Sequence, residues 1–163
     1  MKKKVILTGS FGVGKTSIFN KFVYSKFDER YLTTIGVKVD KKTLKIEGED
    51  VTLLVWDIAG EISQDKVPNS YFLQSSAVVY VFDLTRPSTY ANMEFDLEYL
   101  GNKVPGAIVK IVGNKRDLVS DEELQNVMKS VSRMPDVITS AKTGENVEEL
   151  FIDIAKSLIA NAI

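Results

Sequence analysis

Short runs of β-branched and other apolar residues alternate with helically patterned segments from one end of the chain to the other, and few folds tolerate that alternation. The apolar runs predict strands at Lys4 to Thr8, Lys38 to Ile46, Val51 to Asp57, Ala77 to Asp83, Ala107 to Gly113 and Val137 to Thr139. Those starting at Val51, Ala77 and Ala107 are nearly continuous, which suits strands covered on both faces of a parallel sheet. Glu47-Gly48-Glu49-Asp50 is short and turn-prone, so the second and third strands should form an antiparallel hairpin. Between the strands, Ser120 with Glu123 and Asn146 with Glu149 have the spacing of capping boxes. The second precedes apolar residues at 147, 150, 151, 154 and 158, one face of a helix. A further helix is expected from Ser88 to Leu100, with Tyr90, Met93, Leu97 and Leu100 inward and Gly101 as its stop. The expectation is an α/β domain: a six-stranded, mostly parallel sheet with one antiparallel edge strand, layered with about five helices.

The chain has 163 residues, 44% of them hydrophobic and 26% charged, which suits a single domain over 1–163 with a sizeable core. A net charge of −1 gives no sequence-wide attraction to nucleic acid or anionic lipid. The sequence contains neither Cys nor His, which removes thiol nucleophiles, disulfides, imidazole catalysis and the commoner zinc sites. Chemistry must then come from carboxylates, lysine, hydroxyls, backbone amides or a hard metal. The same composition leaves no cysteine to prenylate or palmitoylate, and residue 2 is not glycine, so no lipid anchor is encoded here. Without a long apolar run, the expected setting is cytoplasmic.

Gly9-Ser10-Phe11-Gly12-Val13-Gly14-Lys15-Thr16 fits G-x-x-x-x-G-K-[ST] and lies between a predicted strand and a predicted helix. In that context the glycines let successive amides point at phosphate oxygens, and the helix start adds its positive end. Gly12, Val13, Gly14 and Ser17 would contribute to the cradle, Lys15 would reach the β- and γ-phosphates, and the Thr16 hydroxyl could ligate Mg²⁺. This motif alone does not choose among kinases, ATPases and GTPases.

Asn114-Lys115-Arg116-Asp117 and Ser140-Ala141-Lys142 follow the last two predicted strands, at the sheet edge where open α/β sheets bind ligands. A carboxylate at Asp117 suits guanine, whose N1–H and exocyclic amine form a donor pair that adenine lacks. With these N-K-x-D and S-A-K motifs the chain resembles the Ras-like small GTPases, closest in texture to the Rab and Ras branches, over essentially its whole length. The resemblance implies a three-layer P-loop NTPase fold, the G domain, that binds GTP and GDP with Mg²⁺. It implies that Asp117 reads guanine, that Asn114 ties the base loop to the P-loop, that Ala141 beside Ser140 offers an amide to the guanine oxygen, and that Lys115 and Lys142 flank the ring. It places Phe27 against the guanine edge. Tyr31 to Gly36 resembles the first switch, with Thr34 on Mg²⁺ and the γ-phosphate. Trp56-Asp57-Ile58-Ala59-Gly60 resembles the second, with Asp57 holding Mg²⁺ through water and the Gly60 amide on the γ-phosphate. Phe82-Asp83-Leu84-Thr85 matches the family's fourth strand, where Asp83 reads as structural. Lys15, Thr34, Gly60 and residue 61 form the implied catalytic set, and the implied partners are effectors near Ile35 to Val39, an exchange factor and a non-standard activating protein, acting on a monomer.

Three positions depart from that pattern. Glu61 stands where the family usually has a water-orienting glutamine, Ile58 where a threonine is common, and Phe11 where Ras-type loops have glycine and Rab-type loops often serine. All bear on hydrolysis. Arg30 falls one residue out of register with the built-in arginine of heterotrimeric G-protein α subunits and reads as a solvated charge. Gln64 is a second candidate for positioning water. The resemblance also implies a lipidated tail beyond Ala162-Ile163; either the protein works without its own anchor or that tail lies outside this chain. Three readings therefore stand: a slow GTPase switch, a GTP-dependent binding module with negligible turnover, and a P-loop kinase, which leaves Asn114 to Asp117 unexplained.

Overall fold

The computed structural model describes residues 1–27, 36–58 and 67–161. Its strands are β1 (Lys2–Gly9), β2 (Val37–Ile46), β3 (Glu49–Ile58), β4 (Ser75–Asp83), β5 (Ile108–Asn114) and β6 (Val137–Ile138). Its α-helices are α1 (Lys15–Tyr24), α2 (Asn69–Phe72), α3 (Met93–Lys103), α4 (Asp121–Ser130) and α5 (Val147–Asn161). The sheet order is β2-β3-β1-β4-β5-β6; β2 pairs antiparallel with β3 and every other pairing is parallel. The hairpin turns on Glu47 and Gly48, both at positive φ (51° and 85°), as a two-residue connection between right-twisted strands requires.

Alternation along the central strands builds two cores. Val5 and Leu7 of β1, with Ala77, Val79 and Val81 of β4, face α1 and α5, where Phe22 and Phe151 stack with centroids 3.9 Å apart. Ile6, Val78, Tyr80 and Phe82 face the other way, onto Met93, Leu97 and Leu100 of α3 and Val127 of α4. Burying both faces removes water from a continuous apolar strand, which explains why β4 is buried along nearly its whole length. β3 departs from the expectation: Thr52, Leu54 and Trp56 on its second face are only half-buried, with Tyr71 of α2 and the Lys4 ammonium against Trp56.

Two helix signals resolve differently from their sequence expectation. Gly101 does not stop α3, which runs through it to Lys103. A helical glycine costs only about 1 kcal/mol, and the stop comes from Pro105, which cannot continue the helix and holds Val104 outside helical geometry. Before α5, Asn146 is at φ 59° and donates its amide to the Ile138 carbonyl at 2.9 Å, so it lacks the extended backbone and the bond of a capping box. The Ser120–Glu123 box does form, with bonds of 3.0 and 3.1 Å. Tyr90 is buried as expected, although a 3₁₀ turn at Pro87–Thr89 replaces the first turn foreseen there.

Candidate nucleotide site

Five parallel strands share one carboxyl edge, and the chain leaves β1 for neighbours on both of its sides. That strand is the switch point at which such sheets form a crevice. Gly9 ends β1 there. A Cβ at Gly9 would lie 2.2 Å from the Val81 carbonyl oxygen, so only glycine lets the loop leave beside β4. Gly14 caps α1 at φ 102°. A Cβ on it would lie 2.2 Å from the Asn114 side-chain amide, so the base loop and the P-loop touch where a methyl group has no room.

The charge pattern of α1 is inverted. α3, α4 and α5 each carry two or more acidic residues in the first turn, which complement the positive end of the helix. α1 carries none, is capped by no side chain among the described residues, and begins with a buried lysine. Such a start is suited to an anion supplied from outside. Lys15 donates to the carbonyls of Gly9 and Ser10 at 2.9 and 3.0 Å, bending back over the beginning of the loop. Burial lowers its ammonium pKa to about 8, Asp57 acting against that shift and Arg86 with it.

Thr16 donates to Asp57 Oδ2 at 2.6 Å, bringing together the hydroxyl that follows the P-loop lysine and a fully buried carboxylate near the end of β3. Both are hard oxygen donors, and no cluster of three or more acidic residues adjoins them among the described residues. That sparse set fits Mg²⁺, which keeps several waters and takes few protein oxygens beside phosphates.

Asn114 lies at the centre of the base side and is 2% exposed. Its amide donates to the Val13 carbonyl at 3.0 Å, while its Oδ1 accepts from Thr139 Oγ1 at 2.9 Å and from the Ala141 amide at 3.3 Å. One side chain thus joins the P-loop, the end of β5 and the loop after β6. Asp117 is exposed, with Oδ1 accepting from buried Ser140 at 2.7 Å, which orients the carboxylate. Lys115 adopts a left-handed backbone (φ 73°) and pairs with Asp83 at 2.9 Å. Lys142 is exposed, and half-buried Ser17 lies in the first turn of α1. Phe27 packs partly buried against the core that contains Val13 and Ala141. Thr34, Gly60, Glu61, Arg30, Gln64 and most of both switch segments fall outside the described residues.

Two contributors carried no motif signal of their own. Thr139 supplies the hydroxyl that fixes Asn114, and its only clue is its place before Ser140. Arg86, from the loop after β4, bonds Asp83 through Nε at 2.9 Å and the Phe11 carbonyl through a terminal nitrogen at 2.7 Å.

Because Gly14 abuts the Asn114 network, Gly14→Ala should displace that amide and force alanine into a backbone region it resists. Strain and a broken buried bond together cost about 3 kcal/mol, which in a domain of this size lowers the melting temperature by roughly 6–12 °C. Thermal unfolding measured by circular dichroism will read this directly; a change of less than a degree would mean that the loops separate freely.

The fold, with its glycine-lysine loop at the crevice edge, defines a P-loop protein. The Ras family model matches residues 4–160, and the chain belongs to that family. It is 36% identical over 167 aligned positions to the Ras-related protein Rab-30 of Homo sapiens, covering 98% of this chain and 81% of the relative. It is 31% identical over 160 positions to the Ras-related protein Rab-1D of Dictyostelium discoideum, covering 95% and 78%. Family membership places the chain among GTP-binding switches whose general reaction is GTP hydrolysis.

Proposed function

We propose that this protein is a guanine-nucleotide switch that alternates between GDP and GTP states and hydrolyses GTP slowly with Mg²⁺. The observation that carries the reading is Asn114, whose one amide group joins the phosphate loop at Val13 to the base loop at Thr139 and Ala141. A phosphate cradle and a base pocket locked at fixed separation measure a whole nucleotide. Gly12, Val13, Gly14, Lys15, Thr16 and Ser17 hold the phosphates, while Phe27, Asn114, Lys115, Asp117, Ser140, Ala141 and Lys142 hold the guanosine. Asp117 accepts from both guanine donors while Ser140 keeps its carboxylate aimed.

Thr16, Asp57 and Thr34 would hold Mg²⁺, directly or through water, and the ion would supply positive charge to the phosphate oxygens. Lys15 neutralises the same oxygens and turns from its two loop carbonyls to do so. Water attacks the γ-phosphorus and the bond to the β–γ bridging oxygen breaks, giving GDP and phosphate. Gly60 and Thr34 sense the γ-phosphate, and its loss releases both switch segments, the change that effectors read. Partners are effectors, an exchange factor and an activator of unusual type, with the protein acting as a cytoplasmic monomer. Val39, 45% exposed on edge strand β2, offers such partners an apolar contact.

A competition titration tests the assignment: GTP and GDP should displace a labelled guanine nucleotide, while ATP should fail at concentrations at least a thousandfold higher. Equal displacement by ATP would remove the base-recognition argument. A second reading, a binding module with negligible turnover, is favoured by Phe11, whose side chain is 39% exposed at the loop rim, and by Glu61. Single-turnover measurement on GTP-loaded protein separates the two.

Thr16→Asn should shift the protein toward GDP or the empty state, because the amide spoils a small octahedral site and meets Asp57 with the wrong geometry. The preference for GTP over GDP in Mg²⁺ should fall about tenfold. An unaltered Mg²⁺ dependence of nucleotide release would show that Thr16 is not a ligand.

A further inference from the structure

Three successive P-loop carbonyls are held by two cations. Lys15 Nζ takes those of Gly9 and Ser10, and the Arg86 guanidinium takes that of Phe11 at 2.7 Å. The lysine is the group that reaches the β- and γ-phosphates, so its amine marks the end of the cradle where the terminal phosphate lies. Arg86 sits on the adjoining carbonyl. The two charges are close enough for Arg86 to help depress the Lys15 ammonium, a repulsion that an anion between them would relieve.

The arginine is also anchored as a working cation would be. Its Nε bonds Asp83 Oδ2 at 2.9 Å, and Asp83 is fully buried, held in addition by Lys115 and by the amide and hydroxyl of Thr85. Burial pushes the Asp83 carboxyl up, but the bonds from Thr85, Lys115 and Arg86 outweigh it, leaving its pKa lowered and its charge fixed. Yet the Arg86 side chain remains 42% exposed, with two of its five N–H directions used in bonds among the described residues. A strap serving only to brace the loop would gain nothing from the remaining three.

We propose that Arg86 is a built-in cation of the terminal-phosphate site, keeping its Asp83 anchor and turning from the Phe11 carbonyl to a γ-phosphate oxygen, so that it sets the preference for triphosphate over diphosphate. The inference rests on the guanine-nucleotide reading. It adds a specificity-determining residue from the β4 loop, and through Asp83 and Lys115 it connects that residue to the base loop.

The test uses the full chain with Arg86→Gln and Arg86→Lys, and measures affinities for GDP and for a non-hydrolysable GTP analogue, with ³¹P spectra of the bound analogue. Arg86→Gln should weaken the analogue about tenfold, the scale of one charge-assisted bond, while GDP changes by less than about threefold. Arg86→Lys, which keeps the charge and loses the planar fork, should recover part of the loss. The γ-phosphorus resonance should move in Arg86→Gln while the α-phosphorus resonance holds. Equal weakening of GDP and analogue, or no weakening of either, would reduce Arg86 to a loop brace and overturn the proposal. A lysine variant no better than glutamine would do the same. Failure of the unmodified protein to bind any guanine nucleotide would instead strike the underlying reading.

Discussion

Asp117→Asn is expected to exchange guanine for xanthine as the preferred base. The carboxylate is exposed and oriented by Ser140, whose hydroxyl donates to Oδ1 at 2.7 Å. An asparagine oxygen can take over that bond, so the loop should keep its shape. What changes is the outward face. A carboxylate accepts twice, from the guanine N1–H and the exocyclic amine; an amide accepts once and donates once. Guanine then meets a donor with a donor, whereas xanthine, which carries a carbonyl in place of the amine, meets it with an acceptor. For guanine one of the two charge-assisted bonds, each worth about 1.5–3 kcal/mol, is lost outright, the other is reduced to a neutral bond, and a donor–donor clash is added. GTP affinity should fall at least about a thousandfold, with XTP overtaking it, while the nucleotide-free melting temperature moves by no more than about 2 °C. Competition titration with both nucleotides measures the exchange. Retained GTP affinity would mean that the base is read elsewhere.

Much of the candidate site can be read in the sequence because its parts are contiguous. A phosphate loop must be one run of residues, since it works by aligning successive amides, and Gly9 to Thr16 is such a run. Asn114 to Asp117 and Ser140 to Lys142 are short for the same reason, and the βα alternation put all three at one sheet edge. The contacts that lock them were less visible. Arg86 meets Phe11 across 75 positions, and Asp83 meets Lys115 across 32, so neither pairing leaves a local pattern. Asp83 could be read as structural from its place at a strand end, but not as the anchor shared by Arg86 and Lys115.

The helix ends show the same limit. Ser120 and Glu123 cap α4 because both bonds are local. Asn146 has identical spacing to Glu149, yet the two-residue strand β6 places the Ile138 carbonyl within its reach, and the longer-range bond is the one formed. Gly101 reads as a stop only when Pro105 is ignored. Local rules succeed where the competing partner is also local.

Hydrolysis should be slow, and its repair should require two substitutions. The family's glutamine both accepts from the attacking water and donates to a phosphate oxygen, whereas Glu61 when ionised can only accept. Two unit charges about 4 Å apart at an effective dielectric near 20 repel by about 4 kcal/mol, before Lys15 and Mg²⁺ offset part of it, so a carboxylate at position 61 is poorly suited to hold the attacking water beside the γ-phosphate. Phe11, 39% exposed, adds bulk to the phosphate loop. An arginine entering from an activating protein would have to pass that ring. Arg86 does not replace such a finger: a cation that holds the bound nucleotide and the transition state equally tightens binding without raising turnover. Intrinsic turnover at or below about 10⁻³ per second is expected, with little response to a finger-donating activator. Glu61→Gln alone should remain unresponsive because Phe11 still blocks approach. Glu61→Gln combined with Phe11→Gly should respond to the activator by about 10³-fold or more, the scale of a transferred arginine. Single-turnover phosphate release, with and without activator, decides the matter. Turnover near one per second by the unmodified protein would sink this account and make Glu61 a working base or Arg30 an internal finger.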